Sequence, residues 1–279
     1  MIDNKIKKPL GGIVMNTILM IFTITCIYPV IWMIYSSFKT SPEFNRSIIA
    51  LPEKLIFKNY ADAFRISHIG TYMINSMFNA IISLGFVILI AFITGYFLSR
   101  FRFRGRNLIY YSLLFGMLIP IPALLIPMFI QFKGMGLFDQ RITLIIPYVA
   151  FGLPFSVFLV ESFITSIPGE MEEAAMIDGS GFLRMLFLII MPLCTPILTT
   201  IAILQFFSKW NEFPFALVLV NSENLKTIPI GLLNFSSQFS TNYPLKMAAL
   251  TLAILPVVLM YLAFNKKIIE GMTAGAIKG

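Results

Sequence analysis

Charged side chains are scarce in this 279-residue sequence. Asp, Glu, Lys and Arg make up 12% of it, about half of the roughly 25% found in soluble globular domains. So little charge cannot coat a water-soluble protein of this size, which excludes a soluble enzyme. Disorder is excluded as well. It requires low hydrophobicity and high charge, whereas 58% of this chain is hydrophobic. The single histidine, His68, sits at the edge of an apolar run and reads as an ordinary interfacial residue. No H-E-x-x-H zinc motif exists, and no buried base is present for an intramembrane serine site. Asp3, Asp62, Asp139 and Asp178 fall in loops, which removes an intramembrane aspartyl pair. The two cysteines, Cys26 and Cys194, lie in apolar runs and frame no disulfide network. There is no G-x-x-x-x-G-K-[ST] phosphate loop, so the chain is not expected to hydrolyse ATP itself. No catalytic residue, metal or cofactor is expected.

What is abundant is long apolar sequence. A helix rises 1.5 Å per residue, so crossing ~30 Å of hydrocarbon takes ~20 apolar residues. Six charge-free stretches meet or approach that length: Pro9–Phe38, Ile69–Ser99, Asn107–Phe132, Ile142–Val160, Met185–Ser208 and Met247–Asn265. Only helices or closed barrels satisfy backbone groups in lipid. Barrel strands alternate polar and apolar residues, and these runs are continuously apolar. The fold class read from the sequence is therefore all-α, a polytopic membrane protein with six transmembrane helices.

Short loops set the orientation. Arg100, Arg102, Arg104 and Arg106 crowd between the second and third spans, a strong positive-inside signal. That places the N-terminus, with Lys5, Lys7 and Lys8, and the C-terminus, with Lys266 and Lys267, in the cytoplasm. The net charge of +8 follows from orientation and calls for no nucleic acid. The first apolar run continues far past a signal-peptide h-region and lacks a small-x-small cleavage site. It reads as a retained anchor.

No Asp, Glu, Lys, Arg or His falls within these six spans, so the relays of ion-driven transporters are missing. Proline is frequent there. Pro120 and Pro122 together point to a locally broken third helix, and Pro192 and Pro196 allow the fifth to bend. Tyr72, Asn75, Asn79 and Ser83 share one helical face of the second span. They either line a polar pathway or bond to neighbouring helices. Gln205 invites the same two readings. Ala249 and Ala253 make a small-xxx-small packing face.

The segment Glu161–Arg184 is expected in the cytoplasm. Ser166 reads as an N-cap with Pro168 in the first turn, followed by acids where the helix dipole favours them. Gly179 suits the left-handed C-terminal position. The expected helix has about three turns, with Met171, Ala174, Ala175 and Ile177 on one side. Membrane-surface helices are usually basic. This one is acidic and reads as a docking helix for another protein.

Glu173-Ala174-Ala175, then Gly179, then Ile189-Ile190-Met191-Pro192 resembles the EAA motif of binding-protein-dependent ABC permeases, with Met191 where the family pattern has Leu. Tyr28-Pro29, Trp32, Ser37-Phe38-Lys39, Asn59-Tyr60, Asn75-Ser76, the run Ser99–Arg106, Trp210-Asn211-Glu212-Phe213 and the tail Gly271–Gly279 resemble the carbohydrate-importing, maltose-permease type. The resemblance covers nearly the whole chain. It implies a type I importer subunit in the cytoplasmic membrane. Its expected partners are a second permease, two ATPase subunits, an extracytoplasmic solute-binding protein and a carbohydrate substrate.

By the motif, Glu172, Glu173, Ala174, Ala175, Asp178 and Gly179 are the expected ATPase-docking residues. Tyr72, Asn75, Asn79, Ser83, Gln205 and Asn211 are candidates for the substrate path. The resemblance implies a transporting core over residues 67–265 with a coupling loop at 161–184. Residues 1–66 hold the first helix and its flanks, and 266–279 form a tail able to touch the ATPase pair. The segment Asn221–Pro244 corresponds to a loop that reaches the binding protein. The alternatives are an ABC permease for another solute class, such as glycerol phosphate esters or polyamines, and a self-sufficient secondary carrier.

Overall fold

The computed structural model describes the backbone of residues 7–66, 68–235 and 242–276, and the side chains of 12–66, 68–233, 235 and 242–264. Lys5, part of the 221–244 segment and the last residues of the tail lie outside the described residues. The described chain falls into two compact units. One joins the residues up to 69 with 232–255, and the other joins 70–231 with the chain from 256 onward.

All six apolar runs form helices. Four are long enough to cross a membrane unbroken: α1 (Lys7–Ser36), α4 (Ile69–Arg100), α7 (Ile145–Thr165) and α14 (Tyr243–Ala276). Two further spans are bent pairs. In the first, α5 (Arg106–Gly116) meets α6 (Ile121–Gly134) at 102°. The break spans residues 117–120, with Pro120 at its end and Pro122 in the first turn of α6, where the sequence places it. In the second, the stretch Phe182–Leu193 meets α11 (Thr195–Trp210) at 71°. By contrast, the helices run on through Pro29, Pro127, Pro154 and Pro256, since a single proline inside an apolar helix is tolerated.

In the first unit α1 buries none of its most apolar stretch. Beyond its end the chain folds back through two short helices, α2 (Ser41–Arg46) and α3 (Lys58–Arg65). Thr40 and Glu43 close a capping box on α2, which satisfies two orphan donors. Trp32 Nε1 donates to Ile48 O at 3.0 Å, and Asn59 Nδ2 to Ser37 O and Lys39 O at 2.7 and 2.8 Å. Ser37 Oγ lies 2.6 Å from Tyr60 OH. The aromatic and amide residues that flank the first span thus fasten the segment after it.

Among its described residues the second unit carries two apolar cores. Around α4 and α7, Phe92, Tyr96, Val157, Val160 and Ile164 pack with Met185, Ile190 and Ile201. Near α6, Phe132, Leu144 and Tyr148 pack with α12 (Pro214–Leu219) and with Ile230 of α13 (Ile228–Gly231). Asp139 clasps the turn after α12. Its Oδ1 accepts from Asn221 N and Ser222 N, both at 2.9 Å, and its Oδ2 from Ser222 Oγ at 2.5 Å. Burial opposes ionisation of Asp139, but the Ser222 and Asn221 donors outweigh it and hold the carboxyl below its ordinary value. A depressed folded value means the clasp contributes fully at neutral pH and fades as pH falls through that value. Asp139→Asn should therefore lower the melting midpoint of the solubilised protein at pH 7 by about 2–4 °C. The difference should vanish in acid, as thermal melts across pH would record.

Candidate functional site

The loop between the fourth and fifth spans holds α8 (Glu170–Ile177). It has two turns rather than three. Ser166 does not begin it. Its N–H donates to Phe163 O, as does its hydroxyl, so it closes α7 instead. The preceding Pro168-Gly169 delays the start to Glu170. The end falls where expected. Gly179 has φ +76°. Gly179 N–H donates to Met176 O and Ser180 N–H to Ala175 O, each at 3.0 Å, the Schellman arrangement that satisfies the last carbonyls.

The acids of α8 divide in two. Glu172 points into the bundle, where Arg100 Nε meets Oε1 at 2.5 Å and Tyr96 OH donates to Oε2 at 3.1 Å. Arg100 also donates to Ile167 O at 2.8 Å. Arg106 adds a second strut, reaching Glu161 at 3.2 Å and Leu98 O at 2.6 Å. Ala175 is buried in the core. Glu173, Ala174 and Asp178 are exposed, beside Met171, Met176 and Ile177, which are 45%, 59% and 86% exposed. Four of the six expected docking residues, with Gly179 as the fourth, therefore lie on an open acidic-apolar surface. Glu172 and Ala175 hold that surface to the helices behind it.

From Gly179 the chain runs directly into the bent fifth span: α9 (Phe182–Met185), one wide π-helical turn (Leu186–Ile190), then α10 (Met191–Leu193). Pro196 lacks the N–H that would reach Pro192 O. Thr195 Oγ1 takes that carbonyl at 2.6 Å.

Beyond the bend, α11 reaches a cavity of about 460 Å³. Its walls include Met117, Pro147, Phe151, Phe155 and Leu204, and its polar lining is Tyr148, Gln205, Ser208, Lys209 and Glu212. Gln205 Nε2 donates to Gly152 O and Ser156 Oγ, both at 3.1 Å. Lys209 Nζ donates to Gln205 Oε1 at 2.5 Å. Gly152 is needed at this crossing. A Cβ there would stand 2.8 Å from Gln205 Oε1 and 3.1 Å from Lys209 Nζ. Glu212 accepts from Phe215 N, Ala216 N and Tyr148 OH at 2.5, 3.2 and 2.8 Å. It thereby caps α12. Burial raises the Glu212 carboxyl above its ordinary value, and these three donors oppose the rise.

Of the expected path residues, only Gln205 lines this cavity. Asn211 is exposed and donates to Phe207 O at 2.9 Å. Tyr72, Asn75, Asn79 and Ser83 are buried along α4, and the side chains of Tyr72 and Asn75 bond to other elements. Tyr72 OH meets Glu223. Asn75 Nδ2 donates to Asn224 O and Lys226 O at 2.8 and 2.9 Å, and Ile228 N donates to the adjacent Ser76 Oγ at 2.9 Å. Ser83 Oγ returns to Asn79 O at 2.5 Å. Arg141, which the sequence gives no reason to single out, bonds Asn75 Oδ1 and lies 4.2 Å from the Phe78 ring centroid.

One sequence expectation is overturned. Lys209 belongs to α11 and is buried, so an ionisable group does lie inside the bundle. A boundary drawn at the first charged residue ends the span at Ser208, two residues before α11 ends at Trp210.

The family model for the binding-protein-dependent transport system inner membrane component matches residues 87–272. The diacetylchitobiose uptake system permease protein NgcG of Streptomyces coelicolor is 34% identical over 265 residues, which is 94% of this chain and 88% of that protein. The sulfoquinovosyl glycerol transport system permease protein SmoH of Agrobacterium fabrum is 33% identical, over 98% of this chain and 94% of that protein. Among solved structures, a chain of a bacterial ABC transporter involved in the import of the acidic polysaccharide alginate superposes with a TM-score of 0.83 at 24% identity. The match covers 93% of this chain and 97% of that one, and it establishes a shared fold.

Proposed function

The chain belongs to the binding-protein-dependent transport system inner membrane components, and from that premise we propose that it moves a carbohydrate inward by alternating access. It is a multi-pass inner-membrane permease subunit, and ATP hydrolysis in its family resides on separate subunits. The observation that carries the proposal is the exposed face of α8, braced from behind by Arg100 and continuous with the bent fifth span. In this reading residues 67–265 are the transporting core, with the coupling loop at 161–184. Glu173, Ala174, Asp178 and Gly179 meet the ATPase, while Glu172 and Ala175 hold the loop in place. In this reading the side that carries Arg102 and Arg104, and with it both termini, faces the cytoplasm, a reading supported by the positive-inside rule. Closure of two ATPases on ATP then pushes α8, and the span beyond it follows as a switch between two packings. A second permease and a solute-binding protein complete the complex. The substrate class is supported by relatives whose names specify diacetylchitobiose and sulfoquinovosyl glycerol.

The test is ATP-driven uptake of a saccharide panel into proteoliposomes holding the whole complex. Accumulation is expected only with ATP, both permeases and the binding protein present. Uphill transport by this chain alone, without nucleotide, would overturn the proposal.

A further inference from the structure

The cavity beside α11 holds an ammonium with no direct ion pair among the described residues. Lys209 is 5% exposed. Its Nζ donates to an amide oxygen, Gln205 Oε1, and among the described residues no carboxylate forms an ion pair with it. Glu212 lines the same cavity, but its two oxygens are committed to the N-terminus of α12 and to Tyr148. An amide dipole satisfies a donor and cancels no charge.

A wet cavity solvates the ammonium with water. A neutral sugar that displaces this water supplies only hydroxyl groups and leaves a desolvated cation in an apolar wall. A carboxylate restores both the hydrogen bonds and the opposite charge. The aromatic side chains of Phe151 and Phe155 line the cavity and supply apolar contact for the C–H side of a pyranose. We propose that this cavity receives the carboxylate of an acidic saccharide, a uronic acid residue, with Lys209 as its counter-ion. The proposal rests on the carbohydrate-importer reading and narrows its substrate class.

The test uses the reconstituted permease–ATPase complex without binding protein. Equilibrium binding is measured for neutral disaccharides and for the uronic acids of the same linkages, cellobiose against cellobiouronic acid among them. The wild-type complex is expected to bind the acids at least ten-fold tighter. Lys209→Gln should erase that preference by weakening the acids and relieving neutral sugars of the stranded cation, and Lys209→Arg should keep it. Raising salt should weaken binding of the acids alone, a measurement that needs no variant. Equal binding of both classes, or binding of neither, overturns the inference. ATP-driven uptake of neutral sugars with no acid preference would also sink it while leaving the carbohydrate reading intact. Loss of all ATP-driven saccharide uptake would strike the broader reading instead.

Discussion

Gly179→Val is expected to cut ATP-driven uptake at least ten-fold while the chain still inserts and assembles. At φ +76° a side chain costs about 1–2 kcal/mol, and a β-branched one is disfavoured further. A Cβ at this position would meet nothing within 4 Å, so within this chain the penalty is conformational. It falls on a two-turn helix too short to persist by propensity alone. Its last carbonyls depend on the Gly179 and Ser180 amides. Relief of the strain would unwind the end of α8 and break its link to the fifth span. Gly179→Asn separates this account from a side-chain role, because asparagine tolerates the left-handed region and should retain most activity. Wild-type uptake by the valine variant would refute the coupling role given to α8.

Glu172→Ala should be nearly as damaging, for a different reason. The Arg100 and Glu172 side chains are 17% and 13% exposed. Removing the carboxylate strands a guanidinium against the core, and breaking such a pair costs roughly 3 kcal/mol. The expected results are a lower melting midpoint and a loop no longer held to α4, with uptake falling in step. The double substitution Arg100→Met with Glu172→Leu removes both charges and should recover much of the stability, since apolar replacements of buried pairs are often neutral. Recovery of the melt without recovery of uptake would show that positioning of the loop, beyond its stability, matters to transport. A single variant as stable and as active as the parent would show that the brace is dispensable.

The architecture was legible because lipid imposes a length rule. Six runs too long and too apolar for any other fate had to be helices, and Pro120 with Pro122 marked the break in the third. The end of α8 was legible in Gly179, whose position only a left-handed cap explains. The beginning of α8 is not legible, because Ser166 and Pro168 make a plausible start locally, yet the last carbonyls of α7 need donors and Ser166 supplies them. Nor could the polar face of α4 be assigned from the sequence. Asn75 bonds to residues about 150 positions away, and helical periodicity carries no information about partners so distant. Lys209 was missed through the charge rule itself. A lysine counts as the end of a span in sequence, whereas in space its ammonium turns inward to Gln205.

The wide turn at Leu186–Ile190 has a mechanical consequence. It sits next to Pro192, which has no amide proton to give, and ahead of Pro196, whose missing donor is replaced by the Thr195 hydroxyl. Flexing the rod at this point ruptures fewer main-chain bonds than flexing it elsewhere. The turn also carries a surplus residue relative to a 3.6-residue winding. Were that slack drawn out, everything on the near side would swivel by about 100° against everything beyond. A push on α8 would therefore arrive at the far end of the rod as a twist as well as a tilt.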